Sequence, residues 1–311
     1  MNKLIKLRLG APIEPGSESL TADISGVIGS GAQAKVIKVV LGTEDYAAKI
    51  FHTATPKLIN KVIAMIENPP NALTVEVDGV IYPQLTWPLR LLYDSQSGRV
   101  VGYLMKLVDL KSSFTLDYFY DHNLRKKLSS PEEGALSCRL EIAQNLSKVV
   151  ADLHKLGHYC IDFKPQNIRV FKSTHVVTLI DSDGFSVVDR AGIRYPADLV
   201  STDYIAPEAT NSHLKADSLG EQQDLYALAV IIFQLLNQGL HPFQGIPPQN
   251  YNAPATNDEK AALGLYPYGK TRHPVIRPNP QSIHRFFDNG TRELFDKAFA
   301  PALPPIHRRQ Y

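Results

Sequence analysis

The spacing of apolar residues divides the chain into a β-patterned first third and a helix-patterned remainder. The first hundred residues read as strands. Val27 to Val40 holds a glycine-rich turn and then a β-branched run, Gly42-Thr43-Glu44-Asp45 is a hairpin turn, and Tyr46 to Phe51 is the returning strand. Between these strands and the next, Leu58, Ile59, Val62, Ile63 and Ile66 recur at helical spacing, which predicts a helix over Lys57 to Glu67 ended by Pro69-Pro70. Further strand-like stretches lie near Leu73 to Val77 and Val100 to Val108. From about residue 110 the pattern turns helical. Ser130-Pro131-Glu132-Glu133 has the form of a capping box with proline at the first helical position, and Leu136, Leu140, Ala143, Leu146, Val150 and Leu153 then form one apolar stripe before Gly157. Two short strands, Ile168 to Phe171 and Val176 to Asp181, flank a polar turn. Glu221 to Gln238 is the most apolar helix, and Thr291 to Phe299 is an amphipathic piece in a Pro-rich end.

With 311 residues the chain can form one large domain or two lobes. The outline is a small, mostly β lobe over residues 1–108 and a larger, mostly α lobe over 109–311. Hydrophobic content of 44% and charged content of 21% are those of a globular protein and argue against disorder. A net charge of +2 gives no bulk attraction to nucleic acid or to a membrane surface. The local clusters Arg125-Lys126-Lys127 and His307-Arg308-Arg309 read as solvated surface. The two cysteines, Cys138 and Cys160, show neither a disulfide framework nor metal-ligand spacing, which fits a reducing compartment. The longest apolar run, Leu225 to Leu236, is too short to span a bilayer. At the N-terminus Leu4-Ile5-Lys6-Leu7-Arg8-Leu9 interleaves apolar and basic residues, and with no apolar block following it a signal peptide is not expected. These features predict a soluble cytoplasmic protein.

The chemistry is concentrated in Cys160-Ile161-Asp162-Phe163-Lys164-Pro165-Gln166-Asn167 and, after a strand, Leu179-Ile180-Asp181-Ser182-Asp183-Gly184. Phosphoryl transfer needs a group to orient the attacking hydroxyl, a cation near the moving phosphate, and oxygen ligands for Mg²⁺. Asp162, Lys164, and then Asn167 with Asp181 offer these in order. Asp183 is read as a turn residue, with a second metal ligand as the alternative. Upstream, the glycines of Ile28-Gly29-Ser30-Gly31-Ala32-Gln33-Ala34-Lys35-Val36 let backbone N–H groups approach phosphates without a Cβ between. In Tyr46-Ala47-Ala48-Lys49-Ile50-Phe51 a lysine flanked by small and apolar residues on a strand should be partly buried and in want of an anionic partner.

As a set these residues resemble the protein-kinase superfamily. The glycine loop is matched by Gly29, Gly31, Ala34 and Val36, with alanine for the third glycine, and the strand lysine by Lys49. The catalytic loop, usually His-Arg-Asp, is Cys160-Ile161-Asp162, followed by Lys164-Pro165 and Asn167. Asp181-Ser182-Asp183 stands at the Asp-Phe-Gly position, Ala206-Pro207-Glu208 at the end of the activation segment, and Asp224 at the acid that braces the catalytic loop. Within the superfamily the chain looks like a bacterial group, some of whose members carry a helix-hairpin-helix region after the kinase domain. Met65-Ile66-Glu67-Asn68-Pro69-Pro70, Trp87-Pro88 and Gly102-Tyr103-Leu104-Met105 carry that narrower likeness.

The resemblance implies an α+β, bilobal kinase-like fold with a small antiparallel β N-lobe, a larger α-helical C-lobe, and one triphosphate gathered by Lys49, Asp162, Asn167 and Asp181. It implies ATP as phosphoryl donor with Mg²⁺ or Mn²⁺, and an ATP site of Gly29, Ser30, Gly31, Ala34, Val36, Ala47, Lys49, Met105, Lys106, Leu107 and Val108. Met105 lies behind the adenine and the three residues after it form the hinge. Asp162, Lys164 and Lys49 take the catalytic roles, and Asn167 with Asp181 the metal. Ser201 occupies the place of the hydroxyl that bonds the catalytic acid and lysine, a pattern of transfer to Ser/Thr. Candidate phosphate acceptors before Ala206 are Ser186, Tyr195, Ser201, Thr202 and Tyr204.

The departures carry information. Ile161 replaces the arginine that binds an activating phosphate, and Asp-Ser-Asp lacks the phenylalanine switch and the glycine. The helix glutamate expected to pair with Lys49 is Glu67, another acid, or none. A nucleotide-binding pseudokinase and a small-molecule kinase are the alternatives to an active Ser/Thr protein kinase. The sequence identifies no protein substrate and no oligomeric state.

Overall fold

The computed structural model describes residues 4–11, 14–23, 26–128, 130–270 and 274–300. The basic cluster at His307 lies outside them. The chain forms two compact units, the first comprising residues 1–112, 178–183 and 187–195 and the second the remainder. The first unit therefore runs past Val108 and reclaims two later segments, because Leu179 is hydrogen-bonded into it from both sides. The Leu179 N–H donates to the Gln84 carbonyl (2.9 Å), and the Thr86 N–H donates to the Leu179 carbonyl (3.0 Å).

The first unit is built on strands β1 (Leu4–Ala11), β2 (Glu14–Asp23), β3 (Val27–Ser30), β4 (Ala34–Leu41) and β5 (Glu44–Phe51), helix α1 (Pro56–Glu67), hairpin strands β6 (Thr74–Val77) and β7 (Val80–Pro83), and strands β8 (Arg90–Asp94) and β9 (Val100–Lys106). Seven of the strands form one sheet in the order β2-β1-β8-β9-β5-β4-β3, with every described pairing in it antiparallel. The interleaved residues at the N-terminus are thus β1, which lies between β2 and β8 and joins β8 through Leu7–Asp94, Arg8–Tyr93 and Leu9–Leu92 pairs. Period-two alternation sorts the side chains to two faces. One face packs Leu7, Leu9, Ile37, Val39, Ala48, Leu92 and Leu104 together. The other packs Ala34, Ala47, Phe51, Leu91, Tyr103 and Met105 with Val62 of α1. Thr55 caps α1 by accepting from the Leu58 N–H, Pro56 opens it, and its inward residues are Lys61, Val62, Ala64 and Met65.

The second unit starts with β10 (Ser113–Thr115), the short α2 (His122–Arg125) and α3 (Leu136–Lys155), and continues with β11 (Ile168–Phe171), paired to β10. Residues 131–134 form a 3₁₀ turn and not the first turn of α3; Ser130 makes no capping bond and α3 begins from Ala135. A proline and a glycine close together in Pro131-Glu132-Glu133-Gly134 favour a turn over continued α-helix. The buried stripe of α3 is Arg139, Ile142, Ala143, Leu146, Val149, Val150 and Leu153. Leu136 and Leu140, placed on that stripe from sequence, are exposed because the stripe drifts around the helix, and Arg139 turns inward to bond the Leu235 carbonyl at 2.9 Å. Then come α4 (Pro207–Asn211), α5 (Glu221–Leu236), α6 (Asn257–Ala262) and α7 (Asn289–Phe299). Helix α5 is buried nearly all round, as its continuous apolar run requires. Its Phe233 centres an aromatic cluster with Tyr266, Tyr268, His284, Phe295 and Phe299.

Candidate active site

The first unit carries the glycine loop, the strand lysine and the Asp181–Asp183 turn. Antiparallel register puts Val36 opposite Lys49 and Lys49 opposite Tyr103, so the three share a cross-strand row. Two residues along, on the same face, Ala47 lies opposite Met105. Val36, Ala47, Met105 and Leu107 consequently meet in one apolar cluster. The loop between β3 and β4 is closed by the Gly31 N–H donating to the Ala34 carbonyl (2.9 Å), with Ser30 exposed at its tip. A Cβ added at Gly29 or Gly31 would meet nothing nearer than 3.8 Å, so the protein's own packing does not demand glycine at either position. Gly102 is the opposite case: a Cβ there would stand 2.0 Å from the Lys49 carbonyl oxygen, and only glycine lets β9 approach the lysine this closely. Lys106, at the end of β9, bonds Glu44 (3.1 Å) and lies over the Tyr46 ring.

Lys49 is buried and donates to Asp181 Oδ1 (2.6 Å) and Asp183 Oδ1 (2.5 Å). Burial alone would pull its ammonium down; the carboxylates of Asp183 and then Asp181 outweigh burial and hold it above the usual lysine range. The two acids differ in exposure. The Asp183 side chain is 3% exposed and that of Asp181 61%. Asp183 is therefore not a free turn residue but a buried ion-pair partner, a role that the short spacing after Asp181 did not reveal. Asp181 has a left-handed backbone (φ 63°), a conformation found at functional sites more often than elsewhere for a non-glycine residue. Glu67 ends α1 beside the prolines, and the acids paired with Lys49 are Asp181 and Asp183. The helix is fixed by other means: the Trp87 indole donates to the Met65 carbonyl (2.8 Å), and the Asn68 carboxamide donates to the Val188 carbonyl (3.0 Å).

The second unit carries the catalytic loop. Ser201 Oγ donates to Asp162 Oδ1 (2.5 Å), Lys164 Nζ donates to Asp162 Oδ2 (2.6 Å), and the same Nζ donates to Ser201 Oγ (3.1 Å). The Asn167 carboxamide donates to the Asp162 carbonyl (3.0 Å), which leaves its oxygen as the arm for another contact. Behind the loop lies Asp224, fully buried. It accepts from the N–H groups of Cys160 (2.6 Å) and Ile161 (2.7 Å) and bonds His154 Nε2 (3.0 Å). Burial and this carboxylate push the Cys160 thiol well above its ordinary range, so it stays protonated and unreactive. Ile161 is fully buried, in the place of the arginine that senses an activating phosphate. The end of the activation segment is clamped by Gln223 of α5, which accepts from the Ala206 N–H (2.9 Å) and donates to the Tyr204 carbonyl (2.7 Å). Of the candidate acceptors, Ser186 and Tyr204 are buried, Ser201 is engaged with Asp162, and Thr202 is exposed.

Mg²⁺ is ordinarily held by one or two carboxylates together with substrate phosphates. In the first unit the exposed Asp181 carboxylate is a donor of that kind, and in the second the Asn167 carboxamide oxygen is a hard-oxygen donor. Among the described residues no group of three or more His, Cys, Asp or Glu could hold a metal ion by itself, which suits a cation carried by a nucleotide better than a closed structural metal.

Residues 92–283 match the Protein kinase domain family, and the chain belongs to the protein kinase family. Members of that family use ATP and a divalent metal. The chain is similar to protein kinase YegI of Escherichia coli K12, 28% identical over 257 residues that make up 82% of this chain and 38% of YegI. It is also similar to serine/threonine-protein kinase pkn2 of Myxococcus xanthus, 27% identical over 171 residues, 48% of this chain and 20% of that one. It thus spans well under half the length of these curated relatives. The crystal structure of a rhoptry kinase from Toxoplasma gondii has the same fold, with a TM-score of 0.56 at 13% identity, covering 99% of this chain and 80% of that one. The fold is the mixed α+β kinase fold, with an antiparallel β N-terminal part and a helical C-terminal part.

Proposed function

We propose that the chain transfers the γ-phosphoryl group of Mg·ATP to Ser or Thr hydroxyls of a protein substrate. The observation that carries this reading is the Asp162–Lys164–Ser201 triangle, in which both carboxylate oxygens of Asp162 are held by named donors. A fixed carboxylate can accept a hydrogen bond from an incoming hydroxyl and orient it for in-line attack. Lys164, bonded to that carboxylate, is the cation that would offset charge on the transferring phosphoryl oxygens. Its pairing with Ser201 is the pattern of Ser/Thr transfer. Gly29, Ser30 and Gly31 would cover the phosphates with backbone N–H groups, and the Val36, Ala47, Met105 and Leu107 cluster supplies an apolar surface of the kind an adenine prefers. Lys106, Leu107 and Val108 would be the hinge. Asp181 and Asn167 would hold Mg²⁺, which neutralises phosphate charge when bound.

A cytoplasmic setting accords with two free cysteines, and no helix among the described residues is long and apolar enough to cross a membrane. We place this activity in bacterial signalling or stress response; the chain's relatives include kinases of Escherichia coli and Myxococcus xanthus.

Labelled ATP with Mg²⁺ should phosphorylate the chain itself or a generic acceptor protein on Ser/Thr, and Asp162→Ala should abolish the label. No transfer, with Asp162→Ala indistinguishable from the parent, would overturn the proposal. Thermal stabilisation by nucleotide without turnover would instead make the chain a nucleotide-binding scaffold, the reading that the altered Asp-Ser-Asp motif favours.

A further inference from the structure

We propose that Asp183 is the positioning acid for the catalytic lysine, taking over from a helix glutamate, so that Lys49 is set by the metal-binding segment and not by the placement of α1. The inference rests on the phosphoryl-transfer reading above for its kinetic consequences, but not for its geometry.

Helix α1 offers Lys49 no mid-helix acid. Its inward residues are Lys61, Val62, Ala64 and Met65, and its one acid, Glu67, stands at the last position of the helix. No carboxylate therefore points from the middle of the helix, where an anchor for a strand lysine would have to sit. A buried ammonium without an anionic partner is strongly disfavoured, so a partner has to come from elsewhere. Asp183 meets the requirement: its side chain is 3% exposed and its Oδ1 lies 2.5 Å from Lys49 Nζ.

Asp183 has a second protein neighbour. Tyr103, 1% exposed and directly across the strand pair from Lys49, has its phenol beside the Asp183 carboxylate. Burial and the neighbouring Asp183 and Asp181 charges push its phenol far above its ordinary range. Buried against the ammonium and beside the phenol, the Asp183 carboxylate is committed to the protein. Asp181 also accepts from Lys49 through Oδ1, but its side chain is 61% exposed, so of the two acids it is the one with room for a cation.

The segment that bears Asp183 is itself fixed. Ser182, fully buried, donates to the Thr86 carbonyl (2.7 Å), and Thr178 Oγ1 bonds the Pro83 carbonyl. Together with the Leu179 and Thr86 backbone bonds, residues 178–182 are stitched to residues 83–86. An anchor on such a segment does not swing with a helix. Transfer competence is then independent of any inward movement of α1, which is held by Trp87 and Asn68.

The test uses the full chain, three single variants and one double variant. Glu67→Gln should leave kcat and the KM for ATP within about twofold of the parent. Asp183→Asn should lower kcat/KM for ATP by about 100-fold, and Tyr103→Phe by several-fold, roughly 3–10. In the absence of nucleotide, the rate at which an amine-reactive acylating reagent modifies Lys49, followed by mass spectrometry against pH, reads the pair directly. Asp183→Asn should speed that modification several-fold at fixed pH by releasing the ammonium from its buried partner. Where Asp183→Asn folds poorly, adding Lys49→Met should recover much of its melting temperature, since removing both charges leaves no orphan. A Glu67→Gln variant as impaired as Asp183→Asn, unchanged Lys49 modification in Asp183→Asn, or no recovery in the double variant would each overturn the inference. If the parent itself transfers no phosphate, the function proposed above fails, while the modification and melting measurements still decide the role of Asp183.

Discussion

The N–H of Ile161 donates to Asp224 Oδ1 at 2.7 Å, and this bond holds a β-branched residue in the left-handed backbone region (φ 58°) directly before Asp162. Such a conformation costs about 1–3 kcal/mol and persists only where the surroundings over-determine it. Here the surroundings are one buried carboxylate serving two consecutive N–H groups, so the orientation of Asp162 is set from the start of α5.

Replacing Asp224 with alanine leaves the Cys160 and Ile161 N–H groups buried without acceptors. The expected loss of stability is about 3–5 kcal/mol, measured as a fall in the urea midpoint at constant m. Asp224→Asn, which retains one acceptor oxygen, should fall between the parent and alanine in both stability and transfer rate. Equal losses for the two substitutions would mean that the backbone bonds are not what the carboxylate contributes.

The glycines separate into two kinds. Gly102→Ala forces a methyl group against the Lys49 carbonyl and should destabilise the fold by about 1–3 kcal/mol while disturbing the lysine. Gly29→Ala and Gly31→Ala meet only ordinary contacts and should change stability by no more than about 0.5 kcal/mol. Their effect should appear instead as a KM for ATP raised by about tenfold, measured by steady-state kinetics alongside thermal melts.

Ser201 bridges Asp162 and Lys164. Ser201→Ala should lower kcat by about 10-fold, and Asp162→Asn by about 10²–10⁴-fold, with the KM for ATP little changed in either. Ser201→Thr retains the hydroxyl and should retain most activity. A large KM effect in place of a kcat effect would indicate that the triangle binds nucleotide and does not orient the acceptor.

Two buried histidines fix the acid side of the stability profile. His241 and His284 are both pushed down to about 4, His241 chiefly by burial and His284 by burial and then Arg292. The His241 Nε2 bonds the Asp203 carbonyl (2.9 Å), and Nδ1 accepts from the Phe243 N–H, an arrangement for the neutral ring. Unfolded, each would take up a proton near its ordinary value of about 6.5. Between about 6.5 and 4 the unfolded chain binds more protons, so the stability these groups contribute is present above that window and lost as pH falls through it. Together they should account for about 2–5 kcal/mol of acid destabilisation, allowing for screening, and His241→Gln should flatten the fall between pH 7 and 5.

Much of this was legible in the residues. The turn chemistry of Gly42, the helical spacing of Leu58 to Ile66 and the apolar run before Leu236 each specify an element through local backbone and packing preferences. The loop at Asp162 was legible because Asp162, Lys164 and Asn167 are close in sequence and bond one another. What failed to show was of two sorts. The register of an apolar stripe drifts where helical spacing is imperfect, so Leu136 and Leu140 fell outside it while Arg139 fell inside. Partnerships between distant residues, such as Asp183 with Lys49 and Tyr103 or Asn68 with Val188, leave no periodic trace. The one available signal was a chemical imbalance: a strand lysine expected to be buried, with no acid at mid-helix to meet it.

The Asn68 bond to the Val188 carbonyl has a mechanical consequence. Val187–Val188 pairs antiparallel with Arg194–Tyr195, and the Asp189 side chain accepts from the Ala191 and Ile193 N–H groups to tighten the tip between them. This miniature ribbon is a stiff brace joined to the tail of α1. A load on the ribbon is carried into the helix end and dissipated there, while Lys49 keeps its anchor on residues 181–183.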